Sequence, residues 1–283
     1  MTIFLSYLFY FVASSLWPLQ RRWLAIQKNT AESNQISFAF EVVLILVIGS
    51  LFLPFFSPLY FSGNTFSLIL LSLVCGLFGM GYFIASYVAQ SHIDAGVTSI
   101  VSNIYTPITI ILSSFFLHEG LKPLQIVGTL MLLASVFIVS KKHQIGKFRF
   151  DKYFVMMALS GVMMGVLIVA ERALQKTTGF TASTMLSWGS QCFFLGLASL
   201  IYKSKHTYTN KEVLTTGGLR FLGALSYVIL VWIVGNLSVV SSIITFKIVV
   251  ISIAGAIFLK EREDLPRKIL GCVIAVAGLL LMK

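Results

Sequence analysis

Charge is scarce in this sequence. Asp, Glu, Lys and Arg make up 11% of its 283 residues, against about 25% in an ordinary soluble domain. The mean hydropathy is +0.92, and surface-to-volume scaling gives a soluble domain no core able to hide that much apolar surface. A soluble fold is therefore excluded, and the bilayer must act as solvent. Acidic residues are rarer still, 10 against 21 basic ones, for a net charge of +11. The basic residues lie in short segments between apolar runs, a pattern of membrane topology and anionic headgroups rather than of nucleic-acid binding.

Other absences narrow the chemistry. The three cysteines, Cys75, Cys192 and Cys272, sit inside apolar runs without metal-ligand spacing, so neither a disulfide framework nor a metal site is expected, and the thiols read as small packing residues. The four histidines, His92, His118, His143 and His206, form no pair with metal spacing. There is no H-E-x-x-H, G-x-S-x-G or phosphate-binding Gly-rich loop. An enzyme is not expected, nor a cofactor. The first residues, MTIFLSYLFYFVASSLWPL, lack the basic start and small-residue cleavage site of a secretory signal, and read as a first span.

What is present is a series of long apolar runs. A bilayer crossing takes about 20 residues, and helices are predicted at roughly 3–20, 36–54, 66–89, 96–117, 122–140, 153–171, 181–202, 213–234, 238–259 and 266–282. The runs are continuous, without the alternation of a membrane barrel. Pro107 lies inside the fourth run, where it frees a backbone carbonyl and can kink the helix. Gly76, Gly79 and Gly81 cluster in the third run, and Gly161 and Gly165 form a GxxxG in the sixth. Close helix approach is the first reading of such residues, with a hinge at Gly79 as the second.

The two halves echo each other. Residues 95–139 and 237–281 both run from small and hydroxyl residues through an apolar stretch to a Glu (Glu119, Glu261), a short basic turn and a Gly-containing last span (Gly128, Gly271). Five spans per copy is odd, so the copies must insert in opposite orientations. The expected fold is an all-α integral membrane protein of ten transmembrane helices in two inverted five-helix repeats. The repeats would be residues 1–140 and 153–283, joined by a basic loop at 141–152.

This pattern resembles the drug/metabolite transporter superfamily and, within it, the EamA-type ten-span transporters. The stretch PITIILSSFFLHEGLKPLQIVGTLMLLASVFIV, with Pro107, Glu119 and Gly128, carries the resemblance most specifically. The second copy departs from it, with Val249 in place of the proline and Lys247 where Tyr105 stands in the first. The resemblance implies two pseudo-symmetric bundles around a central cavity and transport of small metabolites or drugs.

Orientation receives two opposed votes. The loops after spans one, five, seven and nine carry 15 of the Lys and Arg residues. The positive-inside rule places those loops in the cytoplasm and both termini outside. The family tendency is both termini inside. A prokaryotic inner membrane is the expected location.

Lys247 is the residue that most needs a function. It lies in the run SVVSSIITFKIVVISIAGAIFL, about 15 Å deep at 1.5 Å per residue, where a cation costs at least roughly 2.5 kcal/mol on insertion scales. It reads as an anchor for a substrate carboxylate or phosphate, or as a structural pair with a carboxylate, a helix dipole or backbone carbonyls. Glu41 is the one carboxylate read as lying clearly inside a run, and is a candidate for proton coupling or for binding a cation. Arg220 lies about two turns into the eighth span. Ser102, Asn103, Tyr105, Gln191, Tyr227 and Asn236 are candidate lining residues, and Trp17, Trp188 and Trp232 candidate stacking surfaces or interfacial anchors.

The expected activity is secondary transport of a small anionic or zwitterionic metabolite (an amino acid, organic acid or phosphorylated metabolite) by alternating access. A proton or counter-substrate gradient would drive it. Two alternatives stay open: a non-transporting membrane protein with a structural Lys247 pair, and an exporter of organic cations or drugs using Glu41. The expected partners are the substrate and the lipid bilayer, with monomer and homodimer both open.

Overall fold

The computed structural model describes residues 2–28, 31–117, 123–140, 151–235, 240, 247–260 and 265–281. Among these residues there is no strand. The helices are α1 (Thr2–Lys28), α2 (Glu32–Ser50), α3 (Thr65–Gln90), α4 (Ala95–Ser102), α5 (Tyr105–Phe116), α6 (Pro123–Ser140), α7 (Lys152–Ile201), α8 (Asn210–Val234), α9 (Lys247–Phe258) and α10 (Leu265–Leu281). Among the described residues, five segments are long and apolar enough to cross a membrane: Glu32–Phe55, Thr65–Gln90, Ala95–Phe116, Lys152–Ile201 and Asn210–Val234. Glu119, Glu261 and Asn236 lie outside the described residues.

The continuous stretch α7 differs from the two helices and connecting loop expected at 153–202. Residues 171–178 continue the helix, and the chain turns at Gly179 alone (φ 75°, ψ −172°). That conformation suits glycine, which lacks the Cβ that would clash there. The Thr177 and Thr178 hydroxyls satisfy themselves on carbonyls of the preceding turn, and Thr181 donates to the Ser57 carbonyl across the bend. No longer linker is needed.

The expected fourth helix is broken at Asn103–Ile104, between α4 and α5. Pro107 accounts for the position. Its ring has no N–H for the carbonyl four residues back and crowds that carbonyl, which belongs to Asn103. Thr106 N–H bonds the Asn103 carbonyl at 3.0 Å instead, in a tighter turn. The GxxxG of α7 seats against this break. A Cβ on Gly161 would stand 2.8 Å from the Ser102 carbonyl oxygen, and one on Gly165 would stand 2.7 Å from Ile108 and 3.1 Å from the Tyr105 carbonyl.

Helix α3 packs along α7, α1 against α8, α2 against α7 and α8, α4 against α9, and α6 against α10. Large apolar side chains such as Phe9, Ile48, Ile69, Leu130, Phe193 and Ile253 point outward, as a lipid-solvated surface requires. Charge gathers at one end of the bundle. There Asp94 pairs with Lys268 at 2.7 Å and Arg22 at 3.9 Å, Lys28 with Glu212 at 2.9 Å, Lys152 with Glu32 at 3.0 Å and His206 with Glu41 at 2.6 Å. The other end carries the apolar turn with Phe52, Phe55, Phe56 and Phe61, all exposed.

Candidate functional site

Helices α1, α3, α4, α7, α8 and α9 surround a cavity with about 1160 Å³ of empty space, its open mouth included. Each wall follows from helical spacing. On α1, Tyr10, Ser14 and Trp17 fall four and three residues apart and so share one face. On α7, Met164, Leu167, Ile168 and Glu171 do the same, and Trp188 and Gln191 face them from beyond the Gly179 bend. On α8, the small residues Gly223 and Ala224 leave room between Arg220 and Tyr227.

Eight residues singled out from the sequence line this space: Trp17, Ser102, Tyr105, Trp188, Gln191, Arg220, Tyr227 and Lys247. Two others stand elsewhere, which corrects the expected lining. Asn103 is buried behind the wall, its amide donating to the Ser99 carbonyl at 2.5 Å. It caps the helix break rather than facing a ligand. Glu41 faces the charged end, where one carboxylate oxygen takes both the Ser37 hydroxyl at 3.1 Å and His206 Nδ1 at 2.6 Å. Pro107 sits just past the break in α5. Gly79 lies in α3 at a close approach, because a Cβ there would collide with the Gln191 side chain.

Lys247 lies on α9. Its ammonium donates to the Tyr10 hydroxyl at 2.8 Å. It lies 5.2 Å from the Tyr10 ring centroid. With Nζ at hydrogen-bonding distance from the hydroxyl, that separation places it beyond the ring edge, so the contact is a hydrogen bond and not a cation–π face contact. A phenol supplies no countercharge, and Lys247 makes no salt bridge to a carboxylate among the described residues.

Arg220 is held differently. Its guanidinium lies 4.8 Å from the ring centroid of Trp17, 5.3 Å from Phe83 and 5.8 Å from Tyr82. Aromatic faces hold a guanidinium without using up its N–H donors, and its Nε has no hydrogen-bond partner among the described residues.

Glu171 escapes a reading of the sequence because it stands where the apolar run ends and so looks like a helix boundary. The helix continues, and Glu171 lines the cavity with 9% of its surface exposed. One of its oxygens, Oε1, has no hydrogen-bond partner among the described residues. A readable signal is there: Glu171, Gln175 and Thr178 recur at four and three residues, a polar helical face beyond the expected end. Tyr10 escapes likewise, although Tyr10, Ser14, Trp17 and Arg21 repeat at the same spacing.

A second polar cluster closes the cavity toward the charged end. Arg21, 4% exposed, donates to Gln90 Oε1 at 2.7 Å and to the Tyr87 carbonyl at 3.1 Å, with its guanidinium 3.1 Å from the Tyr87 ring centroid. Gln90 returns a bond to the Pro18 carbonyl at 3.1 Å. Near the opposite end, Arg172 donates to the Gly235 carbonyl at 3.0 Å and to Gln175 at 3.2 Å. It ties α7 to the end of α8 instead of lying in a loop.

Comparison with known proteins points to a family. A solved structure described as a crystal structure of a protein superposes with a TM-score of 0.61, covering 98% of this chain and 97% of its own, at 17% identity. That likeness concerns the fold alone. No curated protein matches the chain. Residues 1–141 match the EamA-like transporter family, and these residues carry the broken α4–α5 pair and half of the cavity wall. By that match the N-terminal half of the chain is that of an EamA-like transporter.

Proposed function

We propose that the chain is a secondary transporter of a small anionic or zwitterionic metabolite, with its substrate held in the cavity between Lys247 and Arg220. The observation that carries this reading is the state of those two cations. Lys247 has only a phenol for a partner and Arg220 only aromatic faces among the described residues. A cation taken out of water needs a countercharge, and here both line the same open cavity. A substrate carboxylate or phosphate supplies it.

The fold we propose is ten crossings in two inverted five-helix repeats. Counting α4 with α5 as one span and α7 as two, the helices that correspond between the halves pair with each other: α4 with α9, α6 with α10, and α2 with the second half of α7 through Phe40 and Gly196. A pseudo-two-fold axis between repeats requires such pairings. Transport would alternate access by rocking the halves around the cavity, with the basic end cytoplasmic in a prokaryotic inner membrane.

The competing reading, a structural Lys247, draws on the same hydrogen bond to Tyr10. Organic-cation export through Glu41 loses its basis, because Glu41 stands outside the cavity paired with His206. The test is uptake into proteoliposomes of radiolabelled amino acids, dicarboxylates, sugar phosphates and organic cations. Wild type is compared with Lys247→Ala. Uptake of one anionic or zwitterionic class, lost at least tenfold in the variant, supports the reading. Undiminished uptake by Lys247→Ala removes Lys247 from the site, and uptake of cations alone overturns the substrate class.

A further inference from the structure

We infer that Glu171 is a proton-binding site whose proton affinity responds to the charge at Arg220, so that an anion in the cavity and a proton on Glu171 bind together. This rests on the reading of the cavity as the substrate site, but its first test does not.

Three observations carry it. Glu171 is more than nine-tenths buried, lines the cavity and leaves Oε1 unpartnered among the described residues. A buried carboxylate with an empty acceptor position is incompletely compensated, and taking up a proton is the simplest way to remove that deficit. Arg220 lines the same cavity from α8, yet the two form no salt bridge among the described residues. Arg220 is held off by its aromatic cage on α1 and α3. The attraction is therefore long-range and can be switched, where a closed ion pair could not be.

The remaining groups around Glu171 do not compete for that role. Helix α3 contributes Cys75 and Tyr82, α1 contributes Tyr10, α5 Tyr105 and α8 Tyr227, all neutral thiols or phenols. The Ser187 hydroxyl beyond the bend reaches the carboxylate and itself accepts from Gln191 at 2.9 Å. Arg172, next in sequence, is engaged by Gly235 and Gln175. Lys247 lines the same space from α9, with its ammonium on Tyr10. No titratable residue of α2 or α4 lines the cavity among the described residues.

The consequence is directional. An anion seated against Arg220 cancels a positive charge that faces the same cavity as Glu171 and adds a like charge beside the carboxyl. Each favours a proton on Glu171, and by linkage the proton favours the anion equally. Substrate and proton then bind in the same state and travel the same way. A carrier of this design is a symporter of anion with proton, not an exchanger.

The deciding experiment is an infrared pH titration of the purified protein in lipid, with no ligand present. The carboxylic C=O band of Glu171 is assigned as the band lost in Glu171→Gln. Neutralising its neighbour in Arg220→Gln is expected to carry that band to higher pH by about one unit, a tenfold change in proton affinity. Arg220→Lys, which keeps the charge, is expected to titrate close to wild type. Arg220→Met, which keeps an apolar stem among Trp17, Tyr82 and Phe83, serves as a second neutral variant if Arg220→Gln does not fold. Equal titration in wild type and the neutral variants overturns the inference, as does an equal shift in Arg220→Lys. Failure of anion uptake in proteoliposomes, with the titration shifted, counts against the proposed substrate and leaves the Glu171–Arg220 link standing.

Discussion

Replacing Gly161 by alanine tests whether the GxxxG of α7 is a seat for the broken α4–α5 pair. The added Cβ would stand 2.8 Å from the Ser102 carbonyl oxygen and 3.4 Å from Ser102 C and Ile104 Cβ. The first atom is backbone, so it cannot rotate aside as a side-chain tip would. Relief takes a movement of roughly half an ångström by one helix, of the size that costs about 1–3 kcal/mol when a packed interior is overfilled. Gly189, in the same helix, has open space around it: no atom lies within 4 Å of where a Cβ would stand. Alanine there is expected to be neutral or to stabilise by about 0.5–1 kcal/mol through helix propensity. The assay is thermal unfolding in detergent. At about 2–4 °C per kcal/mol, Gly161→Ala should melt roughly 2–12 °C below wild type, and Gly189→Ala at or slightly above it. A Gly161→Ala protein that melts within a degree of wild type, or a Gly189→Ala protein equally destabilised, would refute the argument. Ser102 and Tyr105 flank the break and line the cavity, so Gly161→Ala should also reduce transport more than its stability loss accounts for.

Tyr10→Phe removes the hydroxyl to which the Lys247 ammonium donates; a bond to a charged group is worth about 1.5–3 kcal/mol. If substrate competes with Tyr10 for Lys247, the variant should bind substrate as well as or better than wild type in equilibrium binding, while melting earlier. If Lys247 is purely structural, only the melting should change. Asp94→Ala leaves Lys268, 5% exposed, without its 2.7 Å carboxylate, and breaking such a buried pair costs about 3 kcal/mol. The expected result is one of the largest losses in melting temperature among single changes at the charged end. Arg21→Ala removes the bonds to Gln90 and the Tyr87 carbonyl that join α1 to α3. The cavity should then open more readily toward the basic end, read as faster thiol labelling of a cysteine introduced at Ser86 than in the same cysteine variant with Arg21 intact. Thr209→Ala deletes the capping box that starts α8 and should cost about 1 kcal/mol in thermal unfolding, without altering uptake.

The sequence by itself determined the solvent and the secondary structure. Long apolar runs with few charges can be nothing but helices in lipid, because a bilayer offers the backbone no other partner. It also determined that Lys247 and Arg220 need partners, since the cost of a desolvated cation depends on residue type and depth rather than on fold. The break near Pro107 follows from the chain's covalent chemistry, although its placement at Asn103 required knowing which carbonyl the ring displaces. The tertiary structure alone decided which polar groups meet. Glu41 reads from the sequence as the carboxylate inside a run and Glu171 as one at a run's end, yet Glu41 faces His206 at the charged end and Glu171 lines the cavity. That difference depends on the rotation of α2 and α7 about their own axes, which packing against α3 and α8 fixes and local sequence does not. The Gly179 bend shows the same division. Glycine permits a positive φ, but only the contacts of Thr181 with Ser57 and of Ser62 with Thr177 across it make the chain turn there. Groups hundreds of residues apart in sequence, such as Tyr10 and Lys247, are neighbours for the same reason: helices are specified locally, and their neighbours are chosen by the fit of side chains from distant parts of the chain.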